Sequence, residues 1–323
     1  MIAVSSRTNS PWPCEPLRSL SDAADVMLRS WKQNTEQPLL YTPEFLQSCL
    51  DYPGDLPSLC PAVYLDGRLA AFVFGLPRRA SYAGRELNLL LCTFLTVAPE
   101  FKRRRLGVEI WAECVRQGRS AGYDGVIHYC VQGNPSNEVT ISGARTAGYE
   151  AVRVFEISYL MRLLRRPTGN EQDHPQSCDL ANFLGAAEIT ASRAPLARRW
   201  NIAEARWQCH LRLGALCLQG EDKATISGYN MKVADDQRTI CTFVEDILWD
   251  STPHEARLAL LNRFVDKCSH AAQVIVVPLL GYASAEPFLS AHFRRSPRKL
   301  NAYLTLWGPS IATPLQAMYV DVL

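Results

Sequence analysis

The sequence has no long apolar run and almost no net charge, and both absences limit what the protein can be. No window approaches the roughly 20 apolar residues of a membrane-spanning helix, and residues 1–7 lack the apolar core of a signal peptide. The 34 basic and 32 acidic residues give a formal net charge of +2. Because nucleic-acid and membrane-surface binding usually require a strong basic excess, we expect a cytoplasmic protein with no nucleic-acid partner and no membrane span.

The 11 cysteines and six histidines show no metal-binding spacing, since the chain contains no CxxC, HxxxH or HExxH pattern. Several cysteines lie inside apolar runs, among them Cys92, Cys130, Cys217 and Cys241. That placement is typical of buried, reduced thiols in a cytosolic protein. The sequence therefore predicts neither a disulfide framework nor a metal site. No GxSxG signature indicates a covalent nucleophile either.

One order of helices and strands occurs twice along the 323 residues. Residues 165–178 have almost no apolar content, as linkers do. On both sides of them the order strand, helix, strand, helix, strand, strand recurs without clear residue identity. The sequence therefore predicts an α/β (α+β) fold of two tandem units, each a mixed twisted sheet flanked by helices. The predicted divisions are a loose arm at 1–17, a first domain at 18–164, a linker at 165–178 and a second domain at 179–323.

In the first half, apolar periodicity and turn residues predict the elements. Thr42 before Pro43 is a helix N-cap, and Asp66-Gly67 between two β-rich runs predicts a hairpin. Residues 87–97 are almost unbroken Leu and Phe, which favours a central strand covered on both faces. The other predicted elements are helices at 19–32, 105–121 and 134–147, and strands at 61–65, 70–75, 125–131 and 149–164.

The second half gives a similar series of elements. Thr252-Pro253-His254-Glu255 predicts a capping box with proline at the first helical position. The helix that it begins is expected to run to about residue 272. The other predicted elements are helical segments across 180–216 and at 283–293, and strands at 224–234, 238–249, 274–280, 299–307 and 318–323.

Residues 93–107 are the most informative segment of the chain. An apolar strand ends at Val97, a turn containing Pro99 follows, and the basic run Lys102-Arg103-Arg104-Arg105 leads into a helix. Free N–H groups and the positive end of the helix dipole meet at such a junction. A solvated basic turn is the plainer alternative, but the placement between strand and helix predicts a site for an anionic ligand, and a diphosphate suits it.

The segment resembles the phosphate loop of the GNAT acyltransferases, whose fold binds acyl-CoA. That loop has the form Arg/Gln-x-x-Gly-x-Gly/Ala after a strand ending in valine. Here Lys102 stands at the first position, Arg105 replaces the usual first glycine, and Gly107 matches the last.

A second pattern of the GNAT family is matched in part. Asn137, Gly148 and Tyr149 fit the end of the family's motif, but its tyrosine position falls on Ala144. The motif is therefore matched at these three residues but lacks its tyrosine.

The departures from the family loop are themselves similar to one branch, the N-myristoyltransferases. Arg105 in the loop, Phe94-Leu95 ahead of it and a second GNAT-like half are shared features. Residues 41–46 and 52–54 are similar too, as is the layout of the C-terminal segment. The resemblance spans most of 41–163 and 225–323, and it implies two tandem GNAT-like domains.

The resemblance also implies roles for individual residues. The backbone amides of Phe94 and Leu95 would form an oxyanion hole for the thioester, while their side chains pack in the core. Coenzyme A would be bound as a co-substrate, with its diphosphate against residues 103–108. The implied cofactor-binding residues are Leu95, Thr96, Val97, Lys102, Arg103, Arg104, Arg105, Leu106, Gly107, Val108 and Asn137.

The general base stays open. Ala144 removes the tyrosine that serves as general acid in single-domain relatives. In the N-myristoyltransferases the C-terminal carboxylate is the base, which would here belong to Leu323, although Leu323 could equally be only the last residue. His128 and Cys130 on a buried strand are rivals, His128 being as compatible with core packing. More distant candidates are the carboxylates of Asp321 and Glu245 and the hydroxyls of Tyr303 and Tyr319.

The sequence thus indicates an acyl-CoA-dependent N-acyltransferase, in which a small-molecule or peptide amine attacks the thioester directly. The second half has Asp250 where the first half has its basic loop, and an aspartate there would repel phosphates. We therefore expect the second half to shape the acceptor pocket. The alternatives are an acyltransferase that takes its acyl group from an acyl carrier protein in natural-product biosynthesis, and a non-catalytic acyl-CoA-binding module.

Overall fold

The computed structural model describes residues 12–32, 39–164, 178–220, 223–234, 239–308 and 311–322. Most of the predicted linker and the first 11 residues of the predicted arm lie outside this part of the chain. Residues 14–16, which were also assigned to the arm, instead form a strand. They pair with residues 61–63 and so cover one edge of the sheet.

The first half follows the predicted order of elements. The Asp66-Gly67 hairpin is confirmed, since both residues have positive φ, 50° and 74°, as a tight primed turn requires. Thr42 accepts a hydrogen bond from the amide of Phe45 and caps its helix as predicted. The elements are β1 (Cys14–Pro16), α1 (Leu20–Lys32), α2 (Pro43–Leu50), β2 (Pro61–Leu65), β3 (Arg68–Tyr82), β4 (Arg85–Val97), α3 (Leu106–Ser120), β5 (Gly125–Val131), α4 (Ser136–Thr146) and β6 (Val152–Leu163).

The second half also begins with helices and continues with strands. Its elements are α5 (Leu180–Ala191), β7 (Leu196–Arg198), α6 (Ile202–Arg206), a π-helical turn (Trp207–Leu211), β8 (Ala215–Gln219), β9 (Thr225–Lys232), β10 (Ile240–Leu248), α7 (His254–Ser269), β11 (Val274–Leu279), α8 (Glu286–Ser290), β12 (Arg294–Leu306) and β13 (Met318–Tyr319). Among the described residues, no helix combines the length and the apolar character needed to cross a membrane.

The second half differs from the sequence predictions in several details. Residues 180–216 were predicted as helical, but they include strand β7 and the start of strand β8. The capping box at residues 252–255 does not form: α7 begins at His254, and Pro253 occupies the N-cap position in an extended conformation. Thr252 is buried, and its amide bonds to Trp249 instead. The final strand is shorter than expected, because only Met318 and Tyr319 pair, with β7.

A single sheet runs through both halves, and the halves exchange a strand within it. The strand order is β1-β2-β3-β4-β5-β12-β6-β11-β10-β9-β8. Thus β12 of the second half lies antiparallel between β5 and β6, and β6 of the first half lies against β11. The predicted boundary divides the chain into two similar series of elements, but the sheet and the largest apolar core extend across it.

The exchanged strand fits closely against β5. A Cβ atom on Gly125 would lie 2.3 Å from the carbonyl oxygen of Thr305 and 2.7 Å from the Leu306 side chain. Backbone cannot yield as a flexible side chain does, so only glycine allows β12 to approach this closely.

We predict that Gly125→Ala lowers the free energy of unfolding by roughly 2–3 kcal/mol, because the added methyl overlaps the backbone of β12. Urea unfolding followed by circular dichroism measures the loss. Gly185→Ala is the control: a Cβ atom there meets nothing within 4 Å, and the substitution removes a glycine from helix α5. An equal loss in both variants would contradict the close approach of β12.

Candidate functional site

The parallel strands β4 and β5 part in the middle of the sheet. Residues 89–92 of β4 pair with residues 125–128 of β5, and the last of these pairs joins Cys92 and His128. Beyond it β4 continues along β3 to Val97, while β5 stays paired with β12 as far as Val131. The ladder between β4 and β5 therefore ends at this pair, and the two strands leave a cleft between their carboxyl ends.

A β-bulge on β4 lies at the mouth of this cleft. Thr93 pairs with Phe74 and Thr96 with Phe72, so Phe94 and Leu95 share one position opposite β3. Phe94 has a φ of 57°, which costs a non-glycine residue about 1–3 kcal/mol. Such strain is found mostly at functional sites. The bulge turns the two amides out of the β3–β4 register, as an oxyanion-hole role would require.

The Phe94 side chain is buried and anchors the bulge. Its ring lies 5.6 Å from Phe74 and 5.2 Å from Tyr41, in edge-to-face contacts. The hydroxyl of Thr96 donates a hydrogen bond to the Phe94 carbonyl oxygen at 2.9 Å. These contacts hold the Phe94 ring and the backbone of the bulge in place.

After β4, the chain makes one 3₁₀ turn at Pro99–Phe101 and then the predicted basic loop. Arg103 and Arg105 both have left-handed backbone conformations, with φ of 65° and 62°. Arg105 is the N-cap of α3, and its side chain makes no capping hydrogen bond. The amides of residues 103–107 donate no hydrogen bond to any residue that the structure describes. A cluster of free N–H groups therefore lies at the start of a 15-residue helix.

The basic loop carries an excess of positive charge. Glu100 is the only acidic residue of the segment, and it pairs with Arg29 at 3.1 Å and also with Arg68. A hydrogen bond from its own backbone amide, with help from Arg29, lowers the pKa of Glu100. Residues 103–105 are exposed and form no ion pair with a described residue.

Gly107 confirms that the start of α3 is packed tightly. A Cβ atom there would lie 3.0 Å from the side chain of Val139 on α4 and 3.5 Å from that of Val97. The matching glycine of the GNAT loop therefore has a packing role in this chain.

His128 lies on β5 where β4 leaves it. The side chain is 1% exposed, stacks on Tyr303 at 5.0 Å and meets the edge of Trp111 at 4.6 Å. Neither ring nitrogen has a hydrogen-bond partner. Burial lowers its pKa to about 3, so the imidazole is neutral near pH 7 and is protonated only at low pH.

The Asn137 amide, predicted to bind the cofactor, is used within the protein. Its nitrogen donates to the carbonyl oxygens of Val131 and Asn134, at 2.7 and 2.8 Å. Its oxygen accepts from Asn301 and from the Tyr303 hydroxyl, both at 3.2 Å. All four hydrogen-bonding positions of the amide are taken, so Asn137 joins β5 to the exchanged strand β12 and leaves nothing for a ligand.

The chain's last described residues are held by buried charge. Asp321 pairs with Arg78 at 2.6 Å and with Arg198 at 3.5 Å. Burial opposes its ionisation, but Arg198 and Arg78 outweigh burial and lower the pKa of Asp321. Leu323, predicted to supply the base, lies outside the described residues.

A second buried group of charges lies beside the first. Glu245 pairs with Arg212 at 2.5 Å, and Asp246 accepts hydrogen bonds from Tyr319 at 2.9 Å and from Ser227. Burial raises the pKa of Asp246 to about 6. The two groups join β3, β7, β10 and the segment after β13, so they fix the C-terminal residues relative to both halves.

The comparisons with known proteins agree with this architecture. No family model matches the sequence, and no curated protein matches it. Among solved structures, the chain is similar to N-myristoyltransferase of Saccharomyces cerevisiae with bound myristoyl-CoA: the TM-score is 0.70 and the identity 14%, over 97% of this chain and 85% of that one. It is also similar to a tandem GNAT protein from the clavulanic acid biosynthesis pathway, with TM-score 0.56 and identity 12%, over 93% of this chain and 99% of that one. The chain therefore has the tandem GNAT fold.

We predict that His128 makes the protein acid-sensitive. Its folded pKa of about 3 lies below the ordinary 6.5, so the unfolded chain binds a proton first as pH falls. The stability is present above pH 6.5 and is lost at about 1.4 kcal/mol per pH unit below it. Between pH 6.5 and 4.5, His128→Phe should lose about 2–3 kcal/mol less than the unmodified protein in urea unfolding.

The control for His128 is the same comparison well above pH 6.5, where the imidazole is neutral in both the folded and the unfolded chain. There the difference in stability between the two proteins should not change with pH. An unchanged slope in His128→Phe would show that the imidazole does not resist protonation.

We predict that Arg105→Gly stabilises the fold by roughly 0.5–1 kcal/mol, because glycine adopts a φ of 62° without the steric cost that arginine has. Arg104→Gly is the control, since Arg104 is not among the residues with positive φ. It should be neutral or destabilising. Urea midpoints of the two variants decide the matter, and stabilisation of both would contradict the strain at Arg105.

Proposed function

We propose that the protein is an acyl-CoA-dependent N-acyltransferase in which the amine attacks the thioester directly. The observation that carries the proposal is one continuous path: the cleft between β4 and β5, the bulge at Phe94 and Leu95 in its mouth, and the free amides of residues 103–107 beyond. A thioester with a diphosphate at the far end of its arm has the chemistry that this path suits. The N-myristoyltransferase with a similar fold was solved with myristoyl-CoA bound, which supports the same donor class.

In this proposal the donor is fixed at both ends. The diphosphate accepts hydrogen bonds from the amides of residues 103–107 at the positive end of α3. The Val108 amide, which was also expected to take part, instead donates to the Arg105 carbonyl oxygen. The Arg103, Arg104 and Arg105 side chains add charge-assisted bonds, with Lys102 nearby. Leu95, Thr96 and Val97 border the arm of the cofactor, and Leu106 and Gly107 hold the helix start against the sheet.

The chemistry needs a site for developing negative charge. The amine nitrogen forms a bond to the thioester carbon, whose oxygen becomes an oxyanion held by the amides of Phe94 and Leu95. The C–S bond then breaks and CoA leaves as a thiolate. The proton that the amine nitrogen loses passes to a base or to solvent, from which the thiolate takes up a proton to become the CoA thiol. One such donor is typically worth about 3–4 kcal/mol in the transition state.

The acceptor is placed between the halves, where aromatic side chains from both meet at the bulge. Phe94 contacts Tyr41, Tyr41 contacts Phe45, and Phe45 lies 5.9 Å from Tyr229 of the second half. Tyr229 in turn stacks on Phe243 at 5.6 Å. Phe45, Phe94 and Tyr229 are buried, so these contacts join the halves beside the bulge, and the small-molecule or peptide amine is proposed to enter next to them.

The second half is not the donor site in this proposal. Before α7, Asp250 accepts a hydrogen bond from Thr190 at 2.8 Å and pairs with Arg193 at 3.2 Å. The second half thus has the carboxylate of Asp250 before α7, whereas the first half has arginines before α3. The negative charge disfavours phosphate binding at α7.

For the base, the proposal keeps the C-terminal carboxylate of Leu323. Asp321, two residues earlier, is buried and its paired arginines stabilise the charged form, which makes it a weak proton acceptor. Burial raises the pKa of Cys130, whose sulfur lies 3.6 Å from the Thr140 hydroxyl. His128, with a pKa of about 3, is the wrong choice near neutral pH. The buried ion pairs of Asp321 hold the chain close to its end, which is what a C-terminal base requires.

The experiment is thiol release from a series of acyl-CoA esters, from acetyl to long-chain, with a panel of amines. Amine-dependent release with a matching amide product supports the proposal. Binding of acyl-CoA without release by any amine would favour the non-catalytic module. Transfer only from an acylated carrier protein would favour the carrier-dependent enzyme, and a mass spectrum of any co-purified thioester identifies the acyl group.

We predict that Leu95→Pro lowers kcat by about 10²–10³-fold, because proline removes one amide donor of the oxyanion hole. CoA binding, measured by calorimetry, should stay within a few-fold. Leu95→Ala keeps the amide and serves as the matched control, with kcat close to that of the unmodified protein. Equal loss of kcat in both variants would assign the effect to the side chain of Leu95 and not to its amide.

Deletion of Leu323 tests the proposed base separately. An unchanged rate after this deletion would exclude the C-terminal carboxylate as the base.

A further inference from the structure

Three cysteines that are far apart in the sequence meet in the second half. The Sγ atoms of Cys178, Cys209 and Cys217 all lie within 4.8 Å of one another. Each residue is only 5–6% exposed. None of the three forms a disulfide, and among the described residues this is the one group of metal-binding side chains with this geometry.

The three thiols come from three different elements. Cys178 directly precedes the N-cap of α5, Cys209 lies in the π-helical turn, and Cys217 lies on β8. Elsewhere in the chain two buried thiols, Cys92 and Cys114, also touch, with their Sγ atoms 3.5 Å apart. That pair has no third ligand, so it serves as an internal reference for ordinary thiol packing.

The backbone around the cluster is fixed by other bonds. The amide of Asp179 donates to the Gln219 side chain at 2.9 Å, and the same side chain donates back to the Asp179 carbonyl at 2.8 Å. Gln219 lies two residues beyond Cys217 on β8. The reciprocal pair therefore holds Cys178 beside Cys217 whether or not anything is bound between them.

The spacing suits a metal ion better than it suits a disulfide. Sulfur atoms bound to one tetrahedral zinc ion at about 2.3 Å lie about 3.8 Å apart. A disulfide brings two sulfur atoms to about 2.05 Å and leaves the third thiol unused. Thiolates are soft ligands that select Zn²⁺ or Cu⁺ over Mg²⁺ and Ca²⁺. His210, next to Cys209 in the chain, is exposed and is not part of the group, so the fourth position of a tetrahedral ion would be taken by a water molecule.

We propose that Cys178, Cys209 and Cys217 bind one zinc ion that fastens the start of the second half. The site is enclosed by apolar side chains, including Phe183, Ala187 and Leu248, which is typical of a structural rather than a catalytic position. The ion would join α5, the π-helical turn and β8. The inference is independent of acyl transfer, and its test uses no activity measurement.

The first measurement is metal content and cobalt binding in the full-length protein. We expect about one zinc ion per chain after purification without chelator. After zinc removal under reducing conditions, Co²⁺ should bind in a 1:1 ratio and give the intense thiolate-to-cobalt charge-transfer absorption of several sulfur ligands. Protein with no stoichiometric zinc and no such absorption would overturn the proposal, and so would a disulfide between two of the three thiols in freshly prepared, metal-free protein.

Single substitutions then test the ligands. Cys209→Ser and Cys217→Ser should lower the cobalt absorption and reduce the bound zinc by about tenfold or more. Cys114→Ser removes one thiol of the reference pair and should change neither. In case a ligand variant folds poorly, the unmodified protein gives the deciding result: a chelator should lower its Tm, and Zn²⁺ but not Mg²⁺ should restore it. A Tm that is insensitive to both would overturn the site.

Discussion

The hydrogen-bonded ladder between β12 and its two neighbours is the interaction on which the rest of the molecule depends. Because β12 occupies the free edge of β5, β5 stays straight within the sheet while β4 turns away beyond Cys92 along β3. The cleft lies between β4 and β5, where, among the described strands, β4 pairs only with β3 and β5 pairs only with β12. Two further features rely on the same strand: Asn137 bonds to Asn301 and Tyr303 of β12, and the ring of His128 stacks on Tyr303. The donor side of the site is thus built partly from the second half of the chain.

Buried charge joins the halves on the other face of this arrangement. Arg78 and Arg198 share the carboxylate of Asp321, and Arg212 pairs with Glu245. Buried ion pairs gain little stability over apolar packing, but each is costly to break, since a single charge would be left without a partner. Such pairs fix the position of the C-terminal residues more strictly than apolar contacts alone would. That precision matters if a terminal carboxylate takes part in proton transfer.

Local patterns predicted most helices and strands, because turn residues and apolar periodicity act within a few residues. The hairpin at Asp66-Gly67 and the cap at Thr42 are confirmed on that basis. The basic loop at residues 102–105 was predicted for the same reason, and it lies at a helix start as expected. The capping box at Thr252 failed because burial of the threonine outweighed its local preference.

What the sequence could not show depends on distant parts of the chain. The exchange of β6 and β12 pairs strands from different halves, and no local pattern encodes such a choice. The meeting of Cys178, Cys209 and Cys217 could not be predicted from CxxC-type patterns, because the three cysteines are far apart in the sequence and come from different elements. The full use of the Asn137 amide likewise follows from β12.

The exchanged strand also has a consequence for synthesis on the ribosome. The edge of β5 emerges early, but the strand that covers it begins at Arg294, after nearly the whole second half has been made. Until then the nascent chain exposes an apolar strand edge, which is a template for pairing with other chains. A truncated product that stops before β12 would keep that edge open permanently. The cell must therefore complete almost the entire polypeptide before the β5 side of the proposed donor site is covered.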